Sequence, residues 1–101
     1  MTVYVVATRE KTKDADAFAK YGPAAAAAGA GHPITPLAFY GKIDVLEGAP
    51  IEGAVILSFP DEAAARAWYE SPAYQAAREH RLKGADYRFF MIAGVDEPPA
   101  G

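Results

Sequence analysis

The stretch FPDEAAARAWYESPAYQAAREHR, Phe59 to Arg81, decides the fold. Pro60 holds Phe59 extended, so a strand ends there, and Asp61 is placed to cap the free amides of a first helical turn. Ala64, Ala67 and Trp68 then share one helix face. Ser71-Pro72 is a second start signal, with serine as N-cap and proline at the first helical position. Gly84 provides a stop. The stretch holds the one Trp of the chain, two of its six Tyr and three Arg, so it must both pack and carry charge.

Working outward, Thr2–Thr8 (TVYVVAT) is β-branched and aromatic and predicts a strand with two largely apolar faces. The charges of REKTKD break it. Asp14 predicts an N-cap for a helix in which Phe18, Tyr21 and Ala25 form one stripe. Gly22-Pro23 predicts a kink near Tyr21 or a second start at Pro23. The alanines from Ala24 to Ala28 favour helix, with Gly29 as its stop. GAGHPITP is a loop. Leu37–Tyr40 and Ile43–Leu46 are read as one bent strand, or a strand bulged at Gly41. Ala54–Phe59 and Tyr87–Val95 complete the strands, and residues 97–101 form a flexible tail behind a single domain over 1–96.

The order β-α-β-β-α-β in so short a chain predicts an α+β, ferredoxin-like fold: a four-stranded antiparallel sheet with helices on one face. The other face is apolar as well, where a sheet facing water would alternate with polar residues. Val55, Leu57 and Phe59 alternate with Ala54, Ile56 and Ser58, and Phe89 and Met91 with Phe90 and Ile92. A homodimer packing two sheets through that face is therefore expected.

The 101 residues are 51% hydrophobic and 23% charged, as in a globular domain. The formal net charge of −3 gives no basic field for nucleic acid or an anionic membrane. The absence of cysteine removes disulfides, thiolate catalysis and Cys-built metal sites. No signal peptide opens the sequence and no apolar run approaches the roughly 20 residues of a membrane span. A cytoplasmic location is the expectation. No P-loop, G-x-G-x-x-G or G-x-S-x-G occurs, so no cofactor is called for.

VLEG at Val45–Gly48, SFP at Ser58–Pro60 and ARAWYESPAYQ at Ala65–Gln75, with Arg81, resemble a bacterial family, the domain-of-unknown-function 1330 family of the dimeric α/β-barrel superfamily. The resemblance covers nearly the whole chain and implies two ferredoxin-like sheets packed as a dimeric α/β barrel. Relatives of that fold include cofactor-independent monooxygenases, lactone isomerases and haem-binding proteins, and fold alone does not choose among them. The family's Arg-Gly-Gly before V-L-E-G is absent. AFYGK stands there, with Phe39 or Tyr40 in place of that arginine, so its role does not transfer.

Candidate site residues follow from side-chain chemistry. Tyr74, Arg78 and Arg81 share a helix face, while Ala73, Ala76, Ala77 and His80 share another that would approach the sheet, leaving the Tyr-Arg side at a rim. There a guanidinium would bind a carboxylate or enolate, or pair with Glu47, Glu70 or Asp86. Glu47 is either a general base in a cleft or a partner for turn amides or Arg81. Trp68, Tyr69 and Tyr40 are candidate walls of a ligand site. His32 and His80 have no metal-ligand spacing, so no metal site is expected, and His32 stays a ligand-binding candidate. Two readings stay open. One is a dimer that binds or transforms a small carboxylate- or enol-bearing molecule between helices and sheet, as a cofactor-independent oxygenase or isomerase. The other is a non-catalytic binding or structural module.

Overall fold

The computed structural model describes residues 1–95; the tail expected over 97–101 lies outside them. In chain order the elements are β1 (Val3–Thr12), α1 (Ala15–Ala28), β2 (Thr35–Phe39), β3 (Gly53–Phe59), α2 (Glu62–Tyr69), α3 (Pro72–Gly84) and β4 (Ala85–Ala93). The sheet order is β2-β3-β1-β4, with every neighbouring pair antiparallel. This is the ferredoxin-like arrangement, with its second helix broken in two at Glu70-Ser71.

The caps act as the sequence predicts. The Asp14 carboxylate accepts from the backbone N–H of Asp16 and Ala17, Asp61 from that of Ala64, and the Ser71 hydroxyl from that of Tyr74. Each of the three helices begins at such a side chain. Pro23 neither breaks α1 nor restarts it; the helix runs through from Ala15 to Ala28. One lost N–H bond is offset by the alanine run and by packing along α3.

β1 is longer than its apolar run. Beyond Thr8 the ladder continues to Thr12, which pairs with Ala85, after an irregularity between Arg9 and Lys11. Polar partners hold this charged end in place. The Glu52 carboxylate accepts from both the N–H and the hydroxyl of Thr12, at 2.8 and 2.7 Å, and Lys13 pairs with Asp86 at 3.2 Å.

β2 departs from the expectation in the other direction. It ends at Phe39, its register slips between Pro36 and Ala38 rather than at Gly41, and Ile43–Leu46 forms no strand. Tyr40 takes a left-handed φ of 51° after its N–H makes a last bond to Ala54, which turns the chain out of the ladder. Pro36 lacks a donor and fits this edge position.

The core lies between the helices and one face of the sheet. Val3, Val5, Val55 and Phe59 point into it, under Tyr21, Ala65, Trp68 and Tyr74. Two face assignments are corrected. In α2, Ala65 and Trp68 are buried while Ala67 is exposed. In α3 the buried side is Tyr74, Ala77, Arg81 and Gly84, while Ala73 and Ala76 face outward. The aromatic ring buries more apolar area than an alanine methyl, so the Tyr side is drawn inward. Gly84 permits the contact, since a Cβ there would lie 2.5 Å from the Phe18 nitrogen.

Register places Tyr4, Val6, Ile56, Phe90 and Ile92 together on the opposite face, which no helix covers among the described residues. Phe90 and Ile92 are 47% and 53% exposed there, so the apolar second face anticipated from the sequence is present.

Candidate functional site

A cleft of about 780 Å³ opens between α1 and the helix-covered face of the sheet. Its floor is Val5, Ala7, Val55 and Leu57. Its roof is α1, through Phe18, Tyr21, Gly22, Ala25 and Ala26. The space exists because this part of α1 carries small residues. An ideal Cβ on Gly22 would meet nothing within 4 Å. The alanine run that favours the helix thus also leaves the cleft unfilled. A volume of this size falls within the range of small-molecule sites.

Five lining side chains bring polar chemistry: Arg9, Tyr21, His32, Tyr40 and Trp68. Arg9 continues the inward alternation of Val3, Val5 and Ala7. Its guanidinium carbon lies 4.8 Å from the Phe18 ring centroid and 5.4 Å from that of Tyr40, a cation–π arrangement. It donates from Nη2 to the Glu52 carbonyl at 3.2 Å, and its Nε lies 3.6 Å from the Glu52 carboxylate without a hydrogen bond. The Glu52 carboxyl is held below its ordinary value, first by the Thr12 hydroxyl, with Arg9 a smaller contributor. Tyr40 shares a 2.6 Å hydrogen bond with the Tyr87 hydroxyl, and burial followed by that bond raises its pKa. His32 lies between the cleft and a smaller cavity of about 430 Å³ at the end of the sheet.

The Trp68 ring packs on Phe59, Tyr74 and Phe89 and is 4% exposed. Its indole Nε1–H is buried without a partner among the described residues, an unspent donor in the cleft wall. Tyr21, in the roof, shares a 2.7 Å bond between hydroxyls with Tyr74, which lies behind the wall. Burial raises the pKa of both phenols, and the charge of Arg81 opposes the rise in each. Arg81 is 4% exposed, stacks over Tyr87 and Phe89, and forms no ion pair among the described residues.

The candidates named from sequence are thus divided. Trp68, Tyr40 and His32 line the cleft. Tyr69 lies outside the lining; it is half-buried, and its hydroxyl accepts from Arg78 Nε at 3.0 Å. Among the described residues Arg78 pairs with none of Glu47, Glu70 and Asp86; Asp86 lies 3.2 Å from Lys13 and Glu70 3.9 Å from Arg66. Tyr74 and Arg81 are buried behind the cleft instead of standing at a rim. Glu47 is exposed in the segment after β2, with no hydrogen bond or ion pair to turn amides or to Arg81 among the described residues. His80 is half-buried and outside the lining. Sequence reading missed Arg9, although extending the alternation of Val3, Val5 and Ala7 by one step would have pointed it inward. It also missed the pairing of Tyr21 with Tyr74, which no local spacing announces. Among the described residues no group of three or more His, Asp or Glu is placed to hold a metal, and no helix is long and apolar enough to cross a membrane.

Fold and cleft together define a ferredoxin-like α+β protein with an apolar, ligand-sized space between helix and sheet. The chain belongs to the DUF1330 family, a domain of unknown function, whose model matches residues 2–95. No curated protein matches the sequence. Among solved structures, it is similar to the RPA0582 protein of unknown function from Rhodopseudomonas palustris, with a TM-score of 0.77 at 16% identity over 95% of this chain and 84% of that one. A dimeric ferredoxin-like protein of unknown function from Thermobifida fusca gives 0.65 at 19% identity over 92% and 91%. A variant of SnoaB, a cofactor-independent oxygenase from Streptomyces nogalater, gives 0.64 at 11% identity over 98% and 97%. These likenesses bear on the fold.

Proposed function

We propose that this protein is a homodimer joined through the open sheet face, in which each subunit binds a small, largely apolar molecule bearing a carboxylate or enol in the cleft under α1. The observation that carries the reading is the cleft of about 780 Å³, apolar on floor and roof, with the Arg9 guanidinium in its lining. Apolar walls favour a flat hydrocarbon body, and a guanidinium favours a planar anion held by parallel bonds. The unpartnered Trp68 N–H supplies a further donor for such a ligand.

Cofactor-independent oxygenase or isomerase chemistry is the enzymatic form of this reading, and the fold shared with SnoaB supports it. His32 is then the lining residue with acid–base chemistry, while Tyr74 and Arg81 act from behind the wall. Glu47, exposed on its loop, has no part. The apolar face of Tyr4, Val6, Ile56, Phe90 and Ile92 supports the dimer, as does the description of the Thermobifida fusca relative as dimeric.

Two experiments test the reading. Calorimetric titration with 2-naphthoate should show saturable binding, and absence of binding by this and by β-keto acids would remove the ligand claim. Size-exclusion with light scattering should give the mass of two chains, and a monomer at micromolar concentration would remove the dimer.

A further inference from the structure

Arg9 and His32 stand at opposite ends of the cleft. Arg9 lies in one row across the sheet with Gly53 on β3 and Tyr87 on β4. Tyr40 bars that end. Its ring covers Gly53, where an added Cβ would lie 2.9 Å from it, and its hydroxyl meets that of Tyr87 at 2.6 Å. His32 lies at the far end, beside the smaller cavity that Thr2, Phe59 and Pro60 also line. Val3 pairs with Phe59 there, so β1 rises about 20 Å between the two ends. The roof gives a similar span. Phe18 packs on the Arg9 guanidinium, and Gly29, whose carbonyl accepts from the His32 N–H, follows about 16 Å further along α1.

Between the ends the cleft is apolar, with Val5, Ala7, Val55 and Leu57 below and Ala25 and Ala26 above. The Tyr21 hydroxyl in this stretch is already engaged with Tyr74. A chain lying here is therefore favoured for its hydrocarbon, and its polar groups belong at the ends. The guanidinium at one end takes an anion. The imidazole at the other both donates and accepts, so it suits a hydroxyl or a carbonyl oxygen.

We propose that the cleft takes an elongated ligand with an oxygen function at each end, of the class of ω-oxygenated medium-chain acids, its carboxylate held by Arg9 and its far oxygen by His32. This rests on the ligand reading above and adds to it a length and a second anchor. A two-ring acid such as 2-naphthoate binds at the Arg9 end and reaches only partway to His32.

The test compares dissociation constants for dodecanoate and 12-hydroxydodecanoate, measured by calorimetric titration of the full chain. The wild type should bind the hydroxylated acid about 2- to 10-fold more tightly, the span of one neutral hydrogen bond. Without a partner the hydroxyl acts the other way, since burying it unpaired weakens binding. His32→Phe should therefore reverse the order and leave dodecanoate binding nearly unchanged. His32→Gln, which still donates and accepts, should keep the wild-type order. Octanoate and 8-hydroxyoctanoate, anchored at Arg9, stop short of His32, so their ratio should be the same in the wild type and His32→Phe. A wild type that prefers dodecanoate overturns the inference, as does a His32→Phe protein that keeps the wild-type order or loses both long acids equally. A short pair whose ratio follows the His32 substitution overturns the length. A wild type that binds 2-naphthoate and neither long acid overturns the inference and leaves the ligand reading standing. One that binds none of these probes removes that reading as well.

Discussion

Replacing Arg9 by Met separates the packing role of this residue from its charge. Methionine keeps an unbranched apolar stem of similar reach, so Phe18 and Tyr40 retain a neighbour. What goes is the cation over two rings, at 4.8 and 5.4 Å, and the partnership with Glu52. Each exposed cation–π contact contributes about 0.5–1 kcal/mol. The ion pair adds little to this, because the Glu52 side chain is 45% exposed and solvent screens it. Arg9→Met should therefore lower the unfolding free energy by about 1–2 kcal/mol in a urea titration. Its effect on ligand is larger. A hydrogen bond to a charged group contributes about 1.5–3 kcal/mol, so 2-naphthoate should bind about 10- to 100-fold more weakly. The neutral analogue 2-naphthylmethanol should bind nearly as before. Equal weakening of both probes would mean that Arg9 only shapes the cleft, and an unchanged naphthoate constant would refute its role as anion anchor.

Other consequences follow from packing and titration. Gly84→Ala should destabilise by about 1–3 kcal/mol or more, because the new methyl would stand 2.5 Å from the Phe18 nitrogen and force α1 and α3 apart. Gly22→Ala, with open space away from its chain neighbours, should change stability by less than about 1 kcal/mol, because the helix preference of alanine is opposed by the Pro23 ring against the new Cβ. The urea midpoint of Gly84→Ala should therefore fall well below that of Gly22→Ala, and a stabilised Gly84→Ala would contradict the helix contact. Tyr21 and Tyr74 bind their protons more tightly in the fold than in the unfolded chain. Their contribution is whole below the unfolded tyrosine value near pH ~10 and is lost as pH rises above it. Stability should fall by about 1.4 kcal/mol per pH unit for the first phenol proton the unfolded chain releases. Urea midpoints that stay level from pH 9 to 11.5 would show that the pair is not held as described.

Much of the scaffold is legible in the sequence because it is encoded locally. Asp14, Asp61 and Ser71 each announce a helix start by their own chemistry, and the strands show in their β-branched runs. The site is less legible because it depends on what surrounds a residue. Tyr74 and Arg81 resemble a polar rim beside Ala73 and Ala76, yet the larger aromatic surface takes the inside and carries the arginine with it. The strand reading stops at Thr8 because charge follows, while the ladder runs on to Thr12 with Glu52, a residue 40 positions away, satisfying its end. Arg9 is hidden by that early stop. The cleft is hidden too, since an alanine-rich stretch states its helix preference plainly and does not state that nothing opposite fills the space.

If the space under α1 is a binding site, filling it must abolish binding. Ala25 lines it, and Ala25→Trp would place an indole into the cleft. Calorimetric titration of 2-naphthoate into the wild type and Ala25→Trp tests the claim most directly. The wild type should show one saturable site per chain and the variant none, with both folded by circular dichroism. Equal binding by the two proteins, or no binding by the wild type, would contradict it.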